Sequence, residues 1–224
     1  MFTRLGNFFE QWGESIWIAT LETFQMVGIA LVISVVIGLF LSVLLLLTRP
    51  GQRLANPIIY QILNIVINII RSIPFIILLF LILPFTKFIV GTTIGVKGVL
   101  VPLVIYTAPF IARLMETALL EVNRGVIEAY EAMGIKTPAI IWHVILREAR
   151  PSIVLSLAIA AVGLIGATAM AGLVGAGGLG DLAYRYGFLR YEADVMYITV
   201  IILVILVQGL QSIGNRLAAK LKKD

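Results

Sequence analysis

Cysteine is absent from the 224-residue chain, and charged residues make up only 13% of it. The absence of cysteine excludes disulfides, thiolate metal sites and cysteine nucleophiles. A soluble domain usually has about 25% charged residues, so this chain has too few to cover a water-exposed surface. Hydrophobic residues account for 60% of the chain, and the mean hydropathy is +1.05. The composition predicts an integral membrane protein without a separate soluble domain.

Sequence motifs for enzymatic chemistry are absent as well. The chain has one histidine, His143, and no H-E-x-x-H, G-x-S-x-G or acidic metal-binding motif. No G-x-x-x-x-G-K-[ST] phosphate loop occurs, so nucleotide hydrolysis would have to come from another polypeptide. Gly175, Gly177 and Gly180 fit G-x-G-x-x-G, but they end an apolar run, which favours a backbone turn over a dinucleotide site. We therefore predict no catalytic residue, no metal and no cofactor.

Five long apolar runs occupy most of the chain. A helix of about 20 residues crosses the hydrocarbon core of a bilayer, which is about 30 Å thick. The second run starts with Asn56-Pro57, a capping pair, and contains Ser72-Ile73-Pro74, where we expect tilt or a break. We predict an all-α polytopic membrane protein, with residues 1–224 in one domain. The spans are predicted at about 18–48, 56–85, 96–121, 151–180 and 195–215.

The basic residues are distributed unevenly between the two sides of this topology. The chain has 17 Lys and Arg against 12 Asp and Glu, a net charge of +5. In a membrane protein such an excess orients the chain rather than indicating nucleic acid. Basic residues are most numerous in the first loop (Arg49, Arg53), the third loop and the C-terminal segment (Lys220 to Lys223). We therefore predict an extracytoplasmic N-terminus and a cytoplasmic C-terminus.

The third loop, residues 122–150, is predicted to be a helical hairpin. Its first half places apolar residues on one helical face, and Gly134 suits the left-handed position that ends a helix. Thr137-Pro138 is expected to cap a second helix. The apolar positions are Val126, Ile127, Tyr130 and Met133 in the first helix and Ile140, Ile141, Val144 and Ile145 in the second, where they oppose His143, Arg147 and Arg150. Such a hairpin could lie on anionic headgroups or contact another protein.

A sequence motif within this hairpin favours the second alternative. The segment Glu128-Ala-Tyr-Glu-Ala-Met-Gly134, followed by Val144-Ile145-Leu146, resembles the EAA loop of ABC importer permeases. It departs from that motif at Tyr130, where Ala is usual, and at Arg147, where Pro is usual. Arg71-Ser-Ile-Pro-Phe75 and residues 175–187 are similar to the methionine permease branch of this family. The resemblance extends from about residue 16 to 215.

This resemblance implies a type I ABC importer permease in the bacterial inner membrane. The permease would be a homodimer that binds two cytoplasmic ATPase subunits and an extracytoplasmic substrate-binding lipoprotein, and would import methionine by alternating access. We expect no nucleic-acid partner, and membrane lipids surround the spans. The residues implied to contact the ATPase are Glu128, Ala129, Tyr130, Ala132, Met133, Gly134 and Ile135.

Candidates for the translocation pathway lie on the second and fourth runs. Gln61, Asn64, Asn68 and Arg71 form a polar stripe, which should face protein or a water-filled cavity because polar groups in lipid are unfavourable. The stripe could line the pathway or only bond neighbouring helices. Met170 and Leu173 flank a stripe of small residues on the fourth run and could form a hydrophobic gate or simply pack, and family resemblance favours Met170 as the gate. Arg113 and Glu116 are expected to pair with each other.

Other functions remain open at this point. Permeases for other amino acids or phosphonates share much of this pattern. A secondary transporter would normally have internal repeats and acidic residues at mid-membrane, neither of which is seen, and a structural scaffold would leave the patterned hairpin unexplained. The aromatic and basic segment Tyr184–Tyr191 could be an interfacial belt or part of a surface for the binding protein.

Overall fold

The computed structural model describes residues 2–52 and 54–222, and these residues form helices without a strand. Arg53 and Lys223, two of the basic residues used above for orientation, lie outside the described residues. The long helices are α1 (Phe2–Thr48), α4 (Gly95–Leu120), α8 (Arg150–Ala171) and α10 (Ala193–Leu221). The shorter ones are α2 (Pro57–Ser72), α3 (Phe75–Val90), α5 (Arg124–Ala132), α6 (Thr137–Ile140), α7 (Leu146–Glu148) and α9 (Gly178–Leu182).

Four of the described helices, α1, α4, α8 and α10, are long and apolar enough to cross a membrane. A fifth span results if α2 and α3 are counted together as one broken helix. Their axes are bent by 109° at the break between them. The break lies at the expected place. Ile73 adopts an extended conformation, as proline disfavours helical geometry in the residue before it, and Pro74 has no N–H to continue the helix. Asn56 caps α2 by accepting hydrogen bonds from the N–H groups of Ile58 and Ile59, as predicted.

The core of the bundle forms where α1, α3, α4 and α8 meet. Met26, Leu79, Leu103 and Leu164 are almost fully buried there. Large apolar side chains remain exposed on the outer faces of α1, α2, α3 and α10, as expected for surfaces that contact lipid or another subunit. Examples are Val32, Phe40, Ile62, Phe80 and Ile205.

The fourth apolar run is not one continuous helix. Instead α8 ends at Ala171, a single tighter turn covers Gly172–Val174, and the chain then reverses before α9. Gly175, Gly177 and Gly178 have φ of 76°, 82° and 80°, values that glycine adopts without a steric penalty. The G-x-G-x-x-G segment is thus a backbone turn, as predicted. Residues 175–180, which we assigned to the fourth span, lie outside α8.

Candidate functional site

The helical hairpin (residues 122–150) begins with α5, which is closed by a glycine. Gly134 has φ 75° and donates its N–H to the Glu131 carbonyl, while Ile135 donates to the Tyr130 carbonyl. These two bonds define a Schellman motif, which requires the left-handed conformation at Gly134. The helix-ending role predicted for Gly134 is confirmed. Asn123 caps the other end of α5 by accepting a hydrogen bond from the Gly125 N–H, at 2.8 Å.

The second half of the hairpin is held by an apolar face. Ile140, Ile141, Val144 and Ile145 are all buried, in one cluster with residues from the ends of α1 and α4. His143, Arg147 and Arg150 are exposed on the opposite face, as predicted. Residues Ile141–Ile145 form a π-helical turn between α6 and α7. A π-helical turn is wider than an α-helical one, so the buried stripe is not strictly α-helical in period.

Three details of the hairpin differ from our expectations. Val126, which we placed on the apolar face, is 37% exposed and is not part of the buried cluster. Met133, which we placed on the apolar face, is 65% exposed, because it follows the last residue of α5 and projects beyond the cluster. Thr137, expected as a cap, is the first residue of α6 and makes no capping hydrogen bond; Lys136 occupies the cap position. Ile127 and Tyr130 do pack against the buried cluster, as predicted.

The surface of α5 that faces away from the bundle carries most of the residues implied to contact an ATPase. Glu128, Ala129, Ala132, Met133 and Gly134 are exposed. Tyr130 and Ile135 are half-buried and support this surface from behind. A neighbouring cavity of about 860 Å³ lies between the hairpin and the ends of α4, α8 and α10. Its lining includes Arg147, Arg150, Lys222 and two carboxylates, Glu121 and Glu148.

The polar stripe of α2 is bonded to α4 through Arg113. The guanidinium donates from Nη1 to Glu116 Oε2 at 2.6 Å, and from Nη2 to Asn64 Oδ1 at 2.6 Å and Asn68 Oδ1 at 3.3 Å. The predicted pairing of Arg113 with Glu116 is therefore confirmed. Arg71, at the end of α2, is exposed and lies 5.9 Å from the centre of the Phe110 ring. The stripe thus has a bonding role in α2–α4 packing, and Arg71 extends beyond it.

Met170 and Leu173 lie next to the end of α8. Each is 49% exposed in the isolated chain, although both are apolar. Neighbouring small residues, Ala167 and Ala171, are buried against the bundle. The two bulky side chains therefore face away from the core of their own chain.

Sequence reasoning missed two contacts between α1 and the start of α9. Glu22 accepts a hydrogen bond from the Gly178 N–H at 2.7 Å, and Thr23 accepts one from the Leu179 N–H at 2.9 Å. These side chains cap the first turn of α9, although they are 156 positions away in the chain. No local sequence signal predicts a cap supplied from another helix.

A family model for the binding-protein-dependent transport system inner membrane component matches residues 34–223. The chain belongs to this family. Since the match covers most of the chain and the part that the structure describes contains four to five candidate spans, the permease is a multi-pass membrane protein. The all-α importer-permease fold predicted from the sequence is confirmed.

Several relatives of the permease have been named individually. The probable D-methionine transport system permease protein MetI of Vibrio cholerae is 44% identical over 98% of this chain and 97% of its own. The methionine import system permease protein MetP of Bacillus subtilis is 45% identical over 89% and 90%. Among solved structures, an inward-facing MetNI methionine ABC transporter matches with a TM-score of 0.93 at 45% identity, covering 95% of this chain and 98% of the matched one.

Proposed function

We propose that this chain is the permease subunit of an ATP-driven ABC importer of methionine and related amino acids. Support comes from relatives about 45% identical along most of their length, which are named as methionine permeases, and from the similarity to the MetNI transporter. The permease itself contains no phosphate loop, so ATP hydrolysis is assigned to a separate subunit.

The proposed assembly is a homodimer of permeases with two cytoplasmic ATPase subunits and an extracytoplasmic substrate-binding lipoprotein. The hairpin and the C-terminus would face the cytoplasm, and the N-terminus and α9 the outside. The basic residues at the hairpin end of the bundle support this orientation, among them Arg49, Arg147, Arg150 and Lys220.

The observation that carries the proposal is the construction of the hairpin. Its apolar face is buried against α1 and α4, so the hairpin is bound firmly to the membrane-spanning helices. Its other face exposes Glu128, Ala129 and Ala132, small and acidic residues that another protein surface can approach closely. Force applied to α5 would therefore reach the ends of the spans, as alternating access driven by an ATPase requires.

The translocation pathway is proposed to run between the two permease subunits. Met170 and Leu173, half-exposed at the end of α8, are assigned to a hydrophobic gate in it. Asn68 and Arg71 are exposed on α2 and are assigned to its polar lining, while Asn64 anchors this face to α4.

Replacement of Gly134 by valine tests the coupling assignment. A Cβ at Gly134 meets no atom within 4 Å, so the substitution strains only the left-handed backbone that ends α5. We expect Gly134→Val to remain folded in the membrane but to lose methionine uptake and co-purification of the ATPase. Gly134→Asn is the matched control, because asparagine tolerates the left-handed conformation. This variant should retain methionine uptake and co-purification of the ATPase.

The measurement is ATP-dependent uptake in proteoliposomes, with the ATPase quantified in detergent pull-downs. Normal uptake and normal co-purification by Gly134→Val would contradict the coupling assignment. Solute movement by the permease alone, without ATPase, would contradict the whole proposal and favour a secondary transporter.

A further inference from the structure

We propose that Arg113 and Glu116 are positioning residues that transmit the movement of the hairpin to α2; this inference rests on the proposed function. The two residues lie one helical turn apart on α4, between the hairpin and the polar face of α2. Neither belongs to the predicted coupling or pathway sets.

Arg113 forms the connection from α4 to α2. One planar guanidinium bonds Glu116 through Nη1 and Asn64 through Nη2, both at 2.6 Å. Because the two donors have fixed relative geometry, the position of Glu116 determines where the Asn64 amide can lie. Asn64 also donates from Nδ2 to the Tyr60 carbonyl one turn earlier, which fixes its side chain to α2.

Stabilisation of the fold does not by itself explain a glutamate at position 116. Its side chain is only 3% exposed, and its Oε1 atom has no hydrogen-bond partner among the described residues. A buried carboxylate with an unsatisfied oxygen is unfavourable, and apolar residues of similar volume usually replace such a pair without loss of stability.

A second cation lies just beyond bonding distance of the unsatisfied oxygen. Arg49 Nη1, at the end of α1, is 3.9 Å from Glu116 Oε1. A charge-assisted hydrogen bond needs about 2.8 Å, so a displacement of about 1 Å between α1 and α4 would form it. The carboxylate can therefore exchange a weak contact with α1 for a strong one while it keeps Arg113, and this provides two discrete arrangements.

The hairpin has direct mechanical access to Glu116. Leu119, one turn after Glu116, and Val122 are buried in the same apolar cluster as Ile140 and Ile145 of the hairpin, and Leu46 of α1 is in that cluster too. Because Leu119 packs tightly against the hairpin side chains, displacement of the hairpin shifts the last turn of α4, and this turn then moves against Leu46 of α1. Glu116 and Arg113 then carry that shift to Asn64.

The test uses the complete transporter in proteoliposomes and the variants Arg113→Lys and Glu116→Gln. Lysine retains the charge but cannot contact Glu116 and Asn64 with a rigid fork, and glutamine removes the charge from the carboxylate with little change of volume. We expect the amount of co-purified ATPase to be unchanged and ATP hydrolysis to stay within about twofold of the unmodified complex. Substrate imported per ATP hydrolysed should fall about tenfold. Arg216→Lys is the matched control, because Arg216 is exposed on α10 and belongs neither to the hairpin nor to the contact between α2 and α4.

A second measurement follows the movement of the hairpin and of α2 directly, without relying on uptake. As the chain has no cysteine, the exposed positions can be labelled one at a time: Trp142→Cys carries a spin label on the hairpin, and Ile62→Cys carries one on α2. On ATP binding, the distance between the two copies should change at both positions in the otherwise unmodified protein. In Arg113→Lys it should change at position 142 and not at position 62.

Three results would overturn the inference. The first is unchanged import per ATP in both variants, and the second is a label distance at position 62 that still responds to ATP in Arg113→Lys. The third is a proportional loss of folded complex, hydrolysis and uptake, which would show a structural role only. Failure of the proposed function is distinguishable, because label distances in the otherwise unmodified complex would then not respond to ATP at either position.

Discussion

The two ends of the helical bundle carry turns that are similar in outline and different in construction. The hairpin (residues 122–150) and the glycine turn (residues 172–192) each contain a short α-helix, a left-handed glycine and a π-helical turn. In the hairpin, apolar side chains provide the attachment to the bundle. In the glycine turn, backbone N–H groups are bonded to Glu22 and Thr23, and glycines allow close backbone approach.

This difference indicates what each end can do. Apolar packing leaves the outer face of α5 available to a partner, and it allows the hairpin to move together with the last turn of α4. In the glycine turn, two backbone N–H groups donate hydrogen bonds to side chains of α1, and there is little room for added atoms. The turn therefore fixes the end of α8 near Met170 and Leu173. The hairpin is therefore suited to contact with a partner, and the glycine turn is suited to holding the end of α8 in place.

The largest expected effect comes from alanine substitution of a glycine at each end. A Cβ at Gly180 would overlap the backbone of Ala169, whereas a Cβ at Gly134 meets no atom within 4 Å. We expect Gly180→Ala to lower the free energy of unfolding by about 3 kcal/mol or more. Gly134→Ala should lower it by about 1 kcal/mol, the strain of a left-handed alanine. Melting temperatures of the purified proteins in detergent measure both, and equal losses would contradict the proposed difference between the ends.

Removal of the Glu22 carboxylate should have the next largest effect. Glu22→Ala leaves the Gly178 N–H without its acceptor, and loss of a hydrogen bond to a charged group is worth about 2 kcal/mol. Glu14→Ala, an exposed glutamate two turns earlier on α1, is the matched control and should have little effect. Hydrogen exchange at residues 178–182 should rise in Glu22→Ala and stay unchanged in the hairpin. A rise at both ends would show general loosening instead of a local cap.

The sequence predicts the hairpin end better than the glycine turn, for a physical reason. Gly134 and the break at Pro74 are local signals that the structure confirms, and the helix period predicts the buried face of the hairpin except at Val126 and Met133. The end of the fourth span was placed too late, because residues 175–180 have no charged or polar side chain and only backbone conformation separates them from the helix. The contacts of Glu22 with Gly178 and of Arg113 with Asn64 join distant positions, so they depend on how the helices pack.

The smallest expected effect is a pH dependence confined to the glycine turn. Burial raises the pKa of Asp181, an effect that outweighs the opposing influence of Arg185, whose Nε lies 2.7 Å away, and the Glu22 carboxylate adds to the rise. A carboxyl whose pKa is higher in the folded state binds its proton more tightly there. Stability from this group is therefore present at pH values below the pKa of the unfolded state and is lost as the pH rises through the folded-state pKa.

The opening free energy of α9, obtained from hydrogen exchange after correction for intrinsic rates, should fall as the pH is raised from the ordinary titration range of an aspartate to neutrality. Asp181→Asn keeps an oxygen that can accept from Arg185 but cannot ionise, so it should remove this dependence, while the hairpin serves as an internal control in the same experiment. A rise in opening free energy over this range would mean that attraction to Arg185 exceeds the burial effect. The glycine turn would then be stabilised by charge, as well as by the backbone bonds that distinguish it from the hairpin.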